Sequence, residues 1–419
     1  MLDRTIQPEL KAIDKIEFIA PIEYKITPVV SLYHMKDVPN ETTRFDLYFD
    51  AGKCRGKNAM ASFVNGLLLS GTKNKTSIEI NNEINGKGGF YESGISQENS
   101  VISVYSLREN VLDIFHTLKD AIRNVSFIEK EVLEFLSDRK QGFNISLQKV
   151  NYLAQRAFQE ELFHSNENYS KTTQLSDFDN VSIQDLKEFH AEFYLKGLAK
   201  VVVVGDLDEE IIQQFIDESK EFALTTKPQY AQNIQNNVGL KHIDKTNALQ
   251  SAVRVGRILF NKNHPDYLDF LVLNTILGDY FGSRLMSNIR EEKGYTYGIG
   301  TMVAELNNVG YFMVATEVGS DVKDATLREI KYEFDRLKTE LVTSEELELV
   351  KNYMLGQLLK SADGPYAMTD LFISVELHDL DLEFYNKAIL ALNNISVERI
   401  QELAIKYLNW EDMSIVTAG

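Results

Sequence analysis

The side chains able to bind a metal or act as a nucleophile are few in this sequence, and their spacing disfavours most familiar chemistries. Its seven histidines are His34, His116, His164, His190, His242, His264 and His378, and no two stand three or four residues apart. A helix that chelates zinc through two rings needs that spacing, because only such positions share a face. His378 is followed by Asp379, Asp381 and Glu383, and carboxylates so loosely spaced read as a solvated acidic turn after a helix rather than a metal site. His190 lies on a repeated helix whose second copy carries Ala404 at the same place, so packing explains it better than ligation. The one cysteine, Cys54, sits in Gly-Lys-Cys-Arg-Gly with no histidine beside it. Neither an internal disulfide nor a local Cys–His nucleophile is available. Gly86-Lys-Gly-Gly89 lacks the strand–loop–helix setting and the trailing Lys-Ser/Thr of a phosphate loop.

The charge balance narrows the partners. A formal net charge of −18 over 419 residues disfavours nucleic acid and anionic membrane, both of which need clustered Lys and Arg. The acidity reads first as solubility, and alternatively as an interior that attracts basic peptides. The longest apolar runs, such as Val201–Val204 and Phe270–Leu277, are too short to span a bilayer. The N-terminal run MLDRTIQPELKAIDKIEFIAP lacks a basic start followed by an apolar core, so a cytoplasmic location is expected, with the periplasm open if a leader is missing.

The elements that must position any site are written twice. Asn180–Tyr194 leads into Lys200–Gly205, and Asn394–Tyr407 leads into Met413–Gly419, so the second copy starts 214 residues after the first. In each, a serine (Ser182, Ser396) precedes an amphipathic run, as an N-cap does, and an apolar strand ending on glycine follows. Upstream, Val125-Ser126 with Glu129 and Glu131 is echoed by Val342-Thr343 with Glu346 and Glu348. The polar run Leu224–Asn247 lacks helical or strand periodicity and reads as the linker. The expected organisation is a first half over 1–224, a linker over 225–247 and a second half over 248–419. Alternation predicts strands at Thr43–Ala51, Ser100–Leu107, Ala252–Leu259, Thr296–Ala304 and Gly310–Glu317. Helices are predicted at Met60–Leu69, Thr76–Asn85, Val111–Arg123, Ile128–Ser146 and Pro265–Leu277. The class is α+β, with helices packed on mostly antiparallel sheets.

One segment is more specific. Phe281-Gly-Ser-Arg-Leu-Met-Ser-Asn-Ile-Arg-Glu-Glu-Lys-Gly-Tyr-Thr-Tyr297 closely resembles a stretch from the second half of the insulinase/pitrilysin-like metallopeptidases, especially the processing-peptidase branch. The layout of two homologous halves matches as well. The resemblance implies that the chain forms half of a clamshell closed with a second chain around a peptide. In the family, zinc is held in the first half by an HxxEH helix, whose glutamate activates the metal-bound water, plus a glutamate on a later helix. Here Leu68–Thr72 matches the end of that helix and fixes the register, so HxxEH falls on Ser62, Phe63, Val64, Asn65 and Gly66. The later ligand falls near Gln141 or Gly142, by its spacing from Glu161-Leu162-Phe163. Both histidines, the base and the third ligand are therefore absent, and this chain is expected to bind no cofactor, with zinc in an HxxEH-bearing partner.

The resemblance also implies what is retained. Arg290 and Tyr297 coincide with the family's arginine, which binds the substrate carbonyl or backbone, and its tyrosine, which stabilises the oxyanion. Read alone, Arg290 is a cation at a helix end and Tyr297 an ordinary strand aromatic; together in this context they point to substrate. The strand Phe90, Tyr91, Glu92, Ser93 matches the family's edge strand, which pairs with peptide backbone. Here it either binds peptide or only seals the chamber. The implied function is a non-catalytic, substrate-binding subunit of a heterodimeric zinc metalloendopeptidase. The alternative is a structural or peptide-binding homologue like the core subunits of the respiratory bc1 complex.

Overall fold

Period-two burial builds the strands, and Ser100–Leu107 buries every second residue down to Ser106. The computed structural model describes residues 13–36 and 41–419, so the start of the N-terminal run considered for a leader lies outside it. One sheet contains β1 (Ile22–Lys25), β2 (Ser31–Met35), β3 (Thr42–Phe49), β4 (Phe90–Ile95), β5 (Ser100–Leu107) and β6 (Leu198–Val204). The other contains β7 (Gly239–Ile243), β8 (Gln250–Leu259), β9 (Thr296–Glu305), β10 (Gly310–Gly319) and β11 (Ser414–Ala418).

The two sheets repeat one topology. The first runs β1-β2-β6-β3-β5-β4 and the second β7-β11-β8-β10-β9. With β1 set aside, each position corresponds, and among the described residues each sheet has one parallel pair, β2 with β6 and β7 with β11. Strand β7 corrects the linker reading, because Gly239–Ile243 lies inside Leu224–Asn247 and pairs with β11 from Ser414 to Ala418. Its sequence, Gly-Leu-Lys-His-Ile, lacks alternation because it is a mostly exposed edge strand with little to bury.

Helices cover one face of each sheet, and each half contributes one helix to the other half's free face. The helices that matter for the site are α1 (Met60–Leu67), α2 (Glu129–Ser146), α3 (Val150–Leu162), α4 (Ile183–Phe193), α5 (Pro365–Glu376) and α6 (Val397–Tyr407). Ser182 caps α4 by accepting from Asp185 N at 3.1 Å, and Ser396 caps α6 by accepting from Arg399 N at 3.2 Å. Helix α3 of the first half buries Ala154, Ala157 and Phe158 against Ala252, Met313, Val416 and Ala418 of the second sheet. Helix α5 of the second half buries Phe372 and Ile373 against Met35, Val202 and Val204 of the first. Gly256 makes the first contact possible, since a β-carbon there would stand 2.9 Å from Phe158 Cζ. Burying a side chain like Phe158 stabilises by about 1.5–3 kcal/mol, and here that gain joins the halves. Polar contacts reinforce the exchange: Lys200 of β6 pairs with Glu376 of α5, and Arg44 Nη1 donates to Asp370 at 2.7 Å.

Candidate functional site

Helix α1 divides its faces cleanly. Met60, Ala61, Phe63, Val64 and Leu67 are buried in the core of the first half, which leaves Ser62, Asn65 and Gly66 on the opposite face. In the register that the resemblance implies, these are the three positions that the family's motif would fill with ligands and base. Asn65 Nδ2 donates to the Tyr194 hydroxyl at 3.3 Å, and burial keeps that phenol protonated by raising its pKa. Over Gly66 lies the ring of Phe135 from α2: a β-carbon on Gly66 would stand 2.6 Å from Phe135 Cζ and 2.8 Å from Cε2. Arg139 stacks on the same ring, its Cζ 5.2 Å from the centroid. Gln141 and Gly142 lie on the exposed side of α2 and offer no carboxylate.

These residues do not fit zinc. A hydroxyl, an amide and a glycine replace two imidazoles and a carboxylate, and a phenyl ring with a guanidinium over it fills the space beside them. Among the described residues no three His, Cys, Asp or Glu side chains converge well enough to hold a metal ion. His378, read above as part of a solvated turn, is itself buried at 7% exposure, while Asp379 remains in solvent. His190 packs in the core, where its Nε2 meets Ile122 O at 2.7 Å.

Arg290 and Tyr297 are brought together, though not in the way the sequence suggests. A π-helical stretch, Met286–Glu292, is anchored by buried Met286 and Ile289. Gly294, at φ +66°, then turns the chain into β9, where few other residues are at ease. The Arg290 guanidinium does not project freely. Its Nε donates to the carbonyl oxygen of Tyr297 at 3.0 Å, and its plane rests on Phe281, 4.6 Å from the centroid. Tyr297 itself is 96% exposed, and its hydroxyl has no hydrogen-bond partner among the described residues.

A bulge explains that exposure. Pairing of β9 with β10 jumps from Ile299↔Thr316 to Thr296↔Val318, so Tyr297 and Gly298 together face Glu317. Thr296 pins it: its Oγ1 accepts from Gly298 N at 3.1 Å and donates to Glu317 O at 2.7 Å. Thr296 and Phe281 thus hold the Arg290–Tyr297 geometry in place, which residue-by-residue reading missed. The only local signal was the glycine after Tyr297, which hints at a bulge.

The third element, β4, ends the first sheet, its outer edge unpaired among the described residues, at the place β9 holds in the second. Phe90 and Glu92 point to one side and Tyr91 and Ser93 to the other. The Phe90 ring stacks on Tyr105 at 4.7 Å and 11°, while Tyr91 packs partly against the core. No hydrogen bond connects β4 or the open face of α1 with the Arg290–Tyr297 pair.

Comparison with known proteins agrees with this architecture. Residues 33–172 match the family model described as Insulinase (Peptidase family M16), and residues 180–354 match the one described as Peptidase M16 inactive domain. Among similar proteins, the uncharacterized zinc protease YmxG of Bacillus subtilis (strain 168) is 22% identical over 375 residues, covering 85% of this chain and 87% of that one. The non-peptidase homolog YmxG of Helicobacter pylori (strain ATCC 700392 / 26695) is 22% identical over 371 residues, covering 85% and 82%. The solved peptidase M16 inactive domain of Pseudomonas fluorescens shares the fold, with a TM-score of 0.85 and 22% identity over 95% of this chain and 98% of that one.

Proposed function

This chain belongs to the M16 (insulinase) peptidase family, and from that premise we propose that it is a non-catalytic, substrate-binding subunit of a heterodimeric zinc metalloendopeptidase. An HxxEH-bearing partner would supply the zinc and the activated water. This chain would bind and orient the peptide in the closed chamber and add an oxyanion donor from its second half. The observation that carries the reading is the Tyr297 phenol, 96% exposed yet held on backbone fixed by a bulge and by Arg290. A hydroxyl directed away from its own chain, on backbone that is itself held, is suited to charge that develops on a group outside it. The unpaired edge of β4 supports peptide pairing by strand addition. The name non-peptidase homolog, given to the Helicobacter pylori relative, supports the loss of catalysis.

The test is co-purification with an HxxEH paralogue from the same host. A one-to-one complex that holds one zinc and cleaves peptides, with neither chain active alone, is the expected result. A complex that forms but never needs this chain for turnover would favour the structural reading instead.

A further inference from the structure

Three cations and no carboxylate line a cavity of about 310 Å³ between the start of α1 and helix α3. They are Lys53, Arg156 and Lys171, and Ser62, the first vacated metal position, forms part of the same wall. In a chain of net charge −18, a pocket whose charged residues are all cations calls for a cause.

The cations are not neutralised from within. Lys171 Nζ donates to the carbonyl oxygens of Gly56 at 2.7 Å and Cys54 at 3.2 Å. Arg156 donates to Thr173 O and, at 3.3 Å, to Thr172 Oγ1. Among the described residues none of the three forms an ion pair, and carbonyl and hydroxyl dipoles orient a cation without cancelling its charge. The carboxylate nearest in this network, Glu160, accepts the Thr172 hydroxyl at 2.8 Å and does not line the cavity. Burial also pushes the Lys171 ammonium pKa down and outweighs the opposing pull of Glu167, with which it forms no ion pair. Helix α1 adds to the field, because its N-cap is Ala59 and no side chain caps its first turn.

We propose that this cavity binds a single oxyanion group, carboxylate or phosphate, with Lys53, Arg156 and Lys171 as its counter-ions. The site itself does not depend on the chain's having a catalytic partner. Only the source of the oxyanion rests on the peptide-binding reading: because Ser62 lies in the wall, a carboxylate carried by a bound peptide would reach it beside the old metal position.

Calorimetric titration of the isolated chain tests this, with inorganic phosphate, with acetate, and with one peptide as its C-terminal acid and as its amide. Phosphate should bind at one site and weaken as salt rises. Lys53→Ala, which alters an exposed side chain, should weaken binding by about tenfold or more, the loss expected for a charge-assisted contact. Ser62→Asp should abolish binding and raise Tm, since it places a carboxylate among the three cations. If the peptide acid binds more tightly than the amide and phosphate competes with it, the source is a peptide carboxylate. If acid and amide bind alike while phosphate still titrates, the source is a free anion. Absence of binding by all of these at millimolar concentration would overturn the proposal, as would phosphate binding that survives both substitutions. The titration involves no partner, so failure to find an HxxEH subunit would leave its outcome intact.

Discussion

The ring of Phe135 lies so close over Gly66 that a β-carbon on that glycine would stand 2.6 Å from Phe135 Cζ. The position that the resemblance assigns to the second zinc histidine is therefore covered by a neighbouring ring. Restoring the ligands through Ser62→His, Asn65→Glu, Gly66→His and Gly142→Glu should not restore zinc binding, and the overpacked site should lose about 1–3 kcal/mol of stability. Adding Phe135→Ala should permit uptake. Metal analysis by mass spectrometry decides, and about one zinc per chain before Phe135 is removed would refute the steric argument.

The exposed Tyr297 phenol leads to a kinetic expectation. In the reconstituted heterodimer, Tyr297→Phe should lower kcat by about 10–1000-fold, the range for losing one oxyanion donor. Assembly should be unchanged, because the substitution removes one hydroxyl that has no hydrogen-bond partner among the described residues and leaves the ring in place. Wild-type turnover by a correctly assembled mutant would remove Tyr297 from the reaction.

Arg290 acts on Tyr297 through its backbone, since Arg290 Nε holds the Tyr297 carbonyl at 3.0 Å. Arg290→Ala should raise KM through a lost backbone clamp and also lower kcat by letting the bulge drift. Combined with Tyr297→Phe, its effect on kcat should be markedly less than additive. Strict additivity in a double-mutant cycle would show that the two residues act independently.

Phe158 joins the halves, so its loss should be felt in both. Phe158→Ala should cost about 3–5 kcal/mol, typical of deleting a buried phenyl ring. Unfolding followed separately by probes in each half should reveal transitions that no longer coincide. A small, still cooperative shift would mean that the polar contacts, not α3, couple the halves.

His378 sets a pH limit. Burial, helped by the nearby Lys262 cation, pushes its pKa from 6.5 down to about 4. Between those values the unfolded chain binds a proton that the folded chain refuses. The stability this neutral histidine maintains is thus complete above pH 6.5, declines as pH falls, and is lost by pH 4, on the order of 3 kcal/mol in all. Denaturant titrations across that window should show the decline, and His378→Gln should flatten it. An unchanged slope in the mutant would assign the acid sensitivity elsewhere.

The sequence by itself determined the duplicated halves, most strands and helices, and the absence of zinc ligands at Ser62, Asn65 and Gly66. Each of these is written in local terms: alternation over a few residues, a cap before an apolar run, one residue type at a position fixed by its neighbours. Tertiary structure decided the rest. Strand β7 gave no periodic signal because an exposed edge strand need not alternate, and its partner Ser414–Ala418 lies at the other end of the chain. The Phe135 ring over Gly66, the exchange of α3 and α5, and the basic cavity beside Ser62 all join segments distant in sequence. Even Tyr297, singled out by its type and its place in the motif, owes its exposure to a bulge set by pairing with β10 and to an arginine that grips its carbonyl. Residue type says what a side chain can do, but which atoms it meets depends on packing between distant segments, and no local pattern encodes that.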